Sequence, residues 1–354
     1  MKRPGELDQG EIESWRELRA MSGARANPFM EPEFTLAVGR QRPGARVAVV
    51  HDAGWTAGFF PYEKGLFGHG RAIGFGVSDC QGAVLGPGLR LEARELLRAC
   101  GLSAWEYDNL EAGQELFRPS AADEYASYVI DVAQGYEQYQ QLLRKQSPKF
   151  LRTTLAKERR MGRQIGPLRF VLDERDPAAL ERLMAWKSAQ YRRTGRGDRF
   201  AKEWISSLVH YLAHLREPGC SGLLSVLYAA DRPVAAHFGL RSRTVLACWF
   251  PAYEPEFARF SPGLILHLRM AEAAAEVGIG MLDLGRGAAE YKEALKTGEQ
   301  RVFEGASLRP GAGAALHWAG REPSRRAHGF VRRRPALAAF AQRSLERAGR
   351  LRAE

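Results

Sequence analysis

Four cysteines in 354 residues, Cys80, Cys100, Cys220 and Cys248, form no C-x-x-C pair. Spacing of that kind offers neither a zinc cage nor a disulfide framework, so no metal is expected, and the usage fits a reducing cytoplasm. Cys248 lies in an apolar strand pattern and reads as a small buried hydrophobe. No run of about 18 apolar residues occurs, which excludes a spanning helix. The opening MKRPGELDQGEIESW lacks the apolar centre of a signal peptide. The expected location is therefore the cytoplasm, to which the basic C-terminal tail adds peripheral contact with the inner face of the membrane.

Charge is present, but unevenly. The net formal charge is +11, of which +7 falls after residue 310, where 10 arginines face 3 acidic residues. The preceding 310 residues are thus only mildly basic, which weighs against nucleic acid as partner. With 45% hydrophobic and 26% charged residues, the chain is globular in composition and suits two domains.

The most informative stretch is 260–298. Ser261-Pro262-Gly263 opens a helix: Ser suits the N-cap, Pro the first helical position, and Gly permits close approach to the backbone. Unpaired N–H groups and a partial positive charge at such a start can hold a phosphate. Proline has no N–H, so the donors would be Gly263, Leu264 and Ile265; the bland alternative is an ordinary helix cap. A strand over 279–284, the turn Gly285-Arg286-Gly287 and a helix with Tyr291 and Lys292 follow.

That order is the one used by acyl-CoA-dependent N-acetyltransferases of the GNAT superfamily. Tyr253 to Ala258, Ser261-Pro262-Gly263, Leu282-Asp283-Leu284-Gly285 and Tyr291-Lys292 resemble the C-terminal signature of its CelD/BcsL-like branch, linked to bacterial cellulose and exopolysaccharide production. That branch is distantly related to Fem-type transferases. Trp186 to Gly195 resembles the branch's segment near the acceptor site, and Trp15 with Asn27-Pro28-Phe29 its opening. The resemblance touches most of residues 12–305.

It implies an α/β fold of tandem GNAT-like halves, mixed central sheets flanked by helices. The expected division is an N-terminal half (1–133), a helical connector (134–165) broken near Ser147-Pro148, a C-terminal acetyltransferase half (166–310), and a basic tail (311–354). Strands are expected at 46–51, 55–61, 104–110, 168–172, 223–229, 234–241, 244–250 and 300–308. Helices are expected at 91–100, 178–194 and 204–216. Glycines between 65 and 88 fit no phosphate motif and read as a mobile surface loop or a rim of the cleft.

The resemblance also implies acetyl-CoA as co-substrate, held by Ser261 to Ile265, and Tyr291 as the donor of a proton to the departing sulfur; the alternative is a tyrosine packing on the sheet. Asp283, His237 and Glu254 are candidate bases. Asp283 equally suits capping the glycine turn, and a mid-strand histidine such as His237 is more often a satisfied core residue. Lys187, Gln190, Tyr191, Trp249 and Lys292 are candidate acceptor contacts; aromatics at the spacings of Trp186, Tyr191 and Trp249 more often belong to the core. The acceptor implied is a small-molecule or lipid-linked amino sugar. A Fem-like aminoacyl transferase, or a degenerate scaffold regulating polysaccharide synthesis, are the alternatives. In the tail, Leu337, Phe340, Ala341, Leu345, Ala348 and Leu351 share one helical stripe among arginines. It suits an anionic membrane surface, cyclic di-GMP, or simple docking on the core.

Overall fold

The computed structural model describes residues 1–22, 26–287 and 289–310. In chain order the described elements are α1 (Gln9–Met21), α2 (Pro32–Gln41), β1 (Ala45–Asp52), β2 (Trp55–Lys64), β3 (His69–Ala72), β4 (Val84–Leu85), α3 (Ala93–Ala99), β5 (Ala104–Glu111) and β6 (Ala121–Asp131). Two connecting helices follow, α4 (Tyr136–Gln146) and α5 (Pro148–Gln164). Then come β7 (Leu168–Val171), α6 (Pro177–Arg193), α7 (Glu203–His214), β8 (Ser221–Ala229), β9 (Arg232–Arg241), β10 (Val245–Tyr253), α8 (Pro262–Glu276), β11 (Met281–Arg286), α9 (Glu290–Leu295) and β12 (Gly298–Leu308).

Local chemistry explains the punctuation. Ala53 and Gly54 at positive φ close the β1–β2 hairpin, and Ala230 with Asp231 close β8–β9, both as two-residue turns whose twist suits antiparallel strands. Arg232 and Pro233, expected in the latter loop, instead begin β9. Pro148 starts α5, where its missing N–H costs nothing, and so separates α4 from α5.

The strands form one mixed sheet in the order β1-β2-β3-β5-β12-β6-β11-β10-β9-β8-β7, with β4 paired to β2. The last strand therefore returns to the first half of the chain: β12 lies antiparallel between β5 and β6, from Gly298 opposite Val129 to Leu308 opposite Ala104. β6 in turn pairs with β11. Neighbouring residues on one strand serve different cores. Ala247 and Trp249 pack in a cluster with Trp15, Phe29, Phe34 and residues of α6 and α7, while Leu246 and Cys248 pack with α4, α5 and α8. This is the period-two alternation of a strand buried on both faces. A third cluster around Phe60, Trp105 and Phe117 fills the first half.

The glycine-rich segment is not the mobile loop expected as one reading. Ile73, Val77, Ser78, Cys80 and Gln81 are buried, Gln81 bridges to Asp108 and Asn109, and Val77 O accepts the Trp249 ring N–H at 2.7 Å. It packs as a wall against the second half.

Candidate functional site

The site begins where two parallel strands part. β10 and β11 pair only over Val245–Ala247 and Met281–Asp283. Beyond that point β10 follows β9, and β11 follows β6 as far as Arg286 opposite Ser127. Both strands are irregular there. On β10 the register shifts between Cys248 and Phe250, and the Trp249 N–H donates to His237 Nε2 at 3.2 Å instead. On β11 the register shifts after Asp283, at Gly285 with φ +73°. A bulge with a residue in that region favours glycine and re-aims the strand. Asp283 Oδ1 accepts the Gly285 N–H at 2.9 Å and so fixes the bulge.

Alternation places different chemistry on the two sides of this gap. Leu282 and Leu284 belong to the cluster of α8, so Asp283 faces the other way. There it also accepts from Ser127 Oγ at 2.9 Å and, at a longer 3.4 Å, from Asn27 Nδ2. Lys187 and Tyr191 approach from α6; Lys187 Nζ donates to Pro251 O at 2.9 Å and lies 5.3 Å from the Tyr191 ring centre. Burial, with Arg196, Arg199 and Lys292 nearby, lowers Lys187 to about 8.

On the α8 side lie Cys248, His237, His267 and Tyr291. The His267 ring is 5.6 Å from Tyr291 and 6.4 Å from His237. Burial, then the neighbouring Cys248, pushes Tyr291 up to about 12, so it stays protonated at neutral pH. His237 is fully buried. Burial first, then His267, holds it well below the usual histidine range. Its Nε2 is occupied by Trp249, so the ring is neutral and carries its proton on Nδ1, which has no partner among the described residues. Lys292 Nζ donates to Gly285 O and Arg286 O, at 3.0 and 3.1 Å, and so braces the bulge.

The start of α8 differs from the expected cap. Ser261 sits at φ +52° and its side chain caps nothing; instead its Oγ accepts from Lys157 Nζ on α5 at 2.8 Å. Leu264 and Ile265 donate to Ser261 O, so of the three expected donors only the Gly263 N–H lacks a protein acceptor among the described residues. A Cβ at Gly263 would meet only the Tyr253 ring, at 3.7 Å, which leaves the approach open. Gly263 O accepts from His267 Nδ1 at 2.6 Å. One turn of α8 thus joins the helix start to the histidine beside Tyr291.

The structure gathers Asp283, Lys292, Tyr291, His237, Lys187 and Tyr191 around the gap. It keeps Trp249 out of it, buried and bonded to Val77. Gln190 is half-buried on α6 and its Oε1 has no partner among the described residues. Trp186 donates its ring N–H to Glu254 at 2.9 Å, so each occupies the other. Sequence reasoning missed Asp79, Ser127, His267, Arg196 and Arg199. Asn27 carried a signal through its motif, and Lys157 through the basic stretch of the connector, which reads as an electropositive rim for CoA or a phosphorylated acceptor or as a solvated helix face. A cavity of about 520 Å³ lined by Leu168, Phe170, Arg269 and Glu272 shares no residue with this cluster, and Arg269 pairs with Glu272 and Glu158. Among the described residues no group of side chains is arranged to hold a metal ion.

Residues 149–293 match the family model of the acetyltransferase (GNAT) domain. The comparison with curated proteins finds no match. Among solved structures, the chain is similar to the C-terminal domain of a candidate lysylphosphatidylglycerol synthetase from Agrobacterium fabrum, at 15% identity and TM-score 0.53, covering 87% of this chain and 94% of that one. It is similar also to a conserved protein of unknown function from Bacteroides thetaiotaomicron VPI-5482, at 11% identity and TM-score 0.54, covering 84% and 97%. Residues 149–293, which contain the parting strands, the start of α8 and Tyr291, thus match the acetyltransferase (GNAT) domain and carry the fold of an acyltransferase.

Proposed function

We propose that the protein transfers an acetyl group from acetyl-CoA to an amine, and that the amine belongs to an amino sugar of an exopolysaccharide or cell-envelope precursor. The observation that carries the transfer is the line from the open Gly263 N–H, through His267, to Tyr291 at the parting of β10 and β11. Backbone N–H groups at a helix start suit a pyrophosphate, and Lys157 beside Ser261 adds a cation there. The gap between the strands lets a thioester pass from the α8 side toward the carboxylate side.

An activated thioester needs little from the protein beyond position, proton movement and stabilisation of charge. Tyr291, protonated at neutral pH, gives its proton to the departing sulfur. The acceptor amine stands on the Asp283 face, where Lys187 and Tyr191 border it. The amino-sugar assignment rests on the resemblance to the CelD/BcsL-like branch. Residues 311–354 lie outside the described residues; their arginines would add contact with an anionic membrane surface carrying lipid-linked sugars.

Tyr291→Phe tests the assignment. The variant should lower kcat about 10²-fold or more, the usual scale for a lost general acid, while its acetyl-CoA Kd stays within about twofold of wild type. Lost affinity with normal turnover would make Tyr291 a binding residue instead. For the tail, deletion from Gly320 onward should release the protein from vesicles rich in anionic lipid, and unchanged binding would refute that contact.

A further inference from the structure

The acceptor side of the gap holds a carboxylate supplied by the other half of the chain. Asp79 lies in the wall between β3 and β4. A Cβ built on Gly285 would stand 3.3 Å from Asp79 Oδ2, so this carboxylate abuts the bulge that Asp283 fixes from the other side. The two acids differ in what they have left to offer. Asp283 is buried, and its oxygens accept from Ser127, Gly285 and Asn27. Asp79 is only half-buried and accepts no hydrogen bond among the described residues.

Its position is nonetheless fixed. Two residues before it, Val77 O is bonded to the Trp249 ring; one before, Ser78 Oγ donates to Ile73 O at 2.9 Å; two after, Gln81 is tied to Asp108 and Asn109. A reactive group held by a packed wall is already in place when substrate arrives.

We propose that Asp79 is the base of the transfer reaction, receiving the proton of the acceptor amine and so making the first half of the chain part of the second half's active site. This rests on the acyl-transfer reading above. The other acids and bases near the gap are engaged: Asp283 in the bulge, His237 on Trp249, Glu254 on the Trp186 ring. The amine nitrogen attacks the thioester carbonyl carbon and forms the N–C bond. Asp79 takes one proton from the resulting ammonium. The C–S bond breaks with its electron pair going to sulfur, which takes the Tyr291 phenol proton; solvent returns the proton of Asp79 to the phenolate. The products are the amide and the free thiol, with no other reactant.

The surroundings of Asp79 set its titration. Burial is the first influence and the charge of Asp283 on β11 the second, both raising it; Arg199 from the α6–α7 loop and Lys292 on α9 oppose them, and Asp108 on β5 adds a further raise, for a result of about 7. Cys248 on β10, Tyr191 on α6 and the adjacent Cys80 also face it, all held protonated.

The test follows thiol release from acetyl-CoA across pH 5 to 9, with glucosamine and with water as acceptor, in the full-length protein. Wild type should show an acid limb in kcat near pH 7. Asp79→Asn should lose that limb and about 10²- to 10⁴-fold in kcat, with acetyl-CoA affinity retained. Asp79→Glu should recover part of the rate. Asp283→Asn should move the limb to lower pH, a shift that a merely structural effect would not give. An unchanged limb in Asp79→Asn, or a limb unmoved in Asp283→Asn, would overturn the assignment while leaving acyl transfer standing. A wild type that neither binds acetyl-CoA nor releases thiol would overturn the acyl-transfer reading, and the assignment with it.

Discussion

A residue's number says nothing of which side of a gap it reaches, and Asp79 shows the consequence. It is an acid in a glycine-rich stretch about 200 residues from the strand it serves, and no periodicity marks it. Its environment predicts a stability effect with a definite sign. Its folded pKa of about 7 lies above the ordinary aspartate value of 3.8, so the folded state holds a proton that the unfolded chain gives up earlier. The cost is absent below pH 4, grows as pH rises, and is complete above about 7. Asp79→Asn should therefore melt higher than wild type at pH 8, by roughly a few kcal/mol, and equal it at pH 4. Equal melting at both values would contradict the burial argument. By contrast Asp283 was legible as either a turn cap or a base, and the structure shows it accepting the Gly285 N–H. The helix start at Gly263 and the short helix that carries Tyr291 were legible because a helix start, a strand and a short helix have strong local signatures.

Elements were read well where patterning is local. The strands from β7 to β10, and the break at Ser147-Pro148, follow from alternation and from proline chemistry. What local pattern cannot show is the irregularity that matters most, the paired bulges where β10 and β11 part. They arise from a glycine at positive φ and from a backbone N–H captured by His237 on the neighbouring strand, neither of which alternation encodes. Close approach between elements gives a second test. A Cβ at Gly222 on β8 would stand 2.2 Å from Leu212 O on α7. Gly222→Ala should force the helix off the sheet and cost about 1–3 kcal/mol or more, read as a lower denaturant midpoint with unchanged slope. A neutral result would mean that α7 packs elsewhere.

At the scale of the molecule, the tandem α/β architecture was legible from element order, but the route of the last strand was not. β12 was expected simply as the final strand; it lies between β5 and β6 because strand neighbours depend on long-range pairing. The two halves thus share a sheet, and one core joins Trp15 and Phe34 to Phe238 and Trp249. Thermal unfolding should show one transition, and removing residues 298–354 should abolish folding of both halves; two separate transitions would contradict the shared core. The central claim remains that the start of α8 holds the acyl donor. Calorimetry with acetyl-CoA on wild type and on Gly263→Asp tests it most directly. The fold has room for that side chain, and an acid in the first turn favours the helix by about 0.3–1 kcal/mol, so the variant should stay folded. Wild type should bind in about the micromolar range typical of enzyme substrates, and the variant, where two negative charges would meet, should lose that binding. Equal binding by both proteins, or none by wild type, would contradict it.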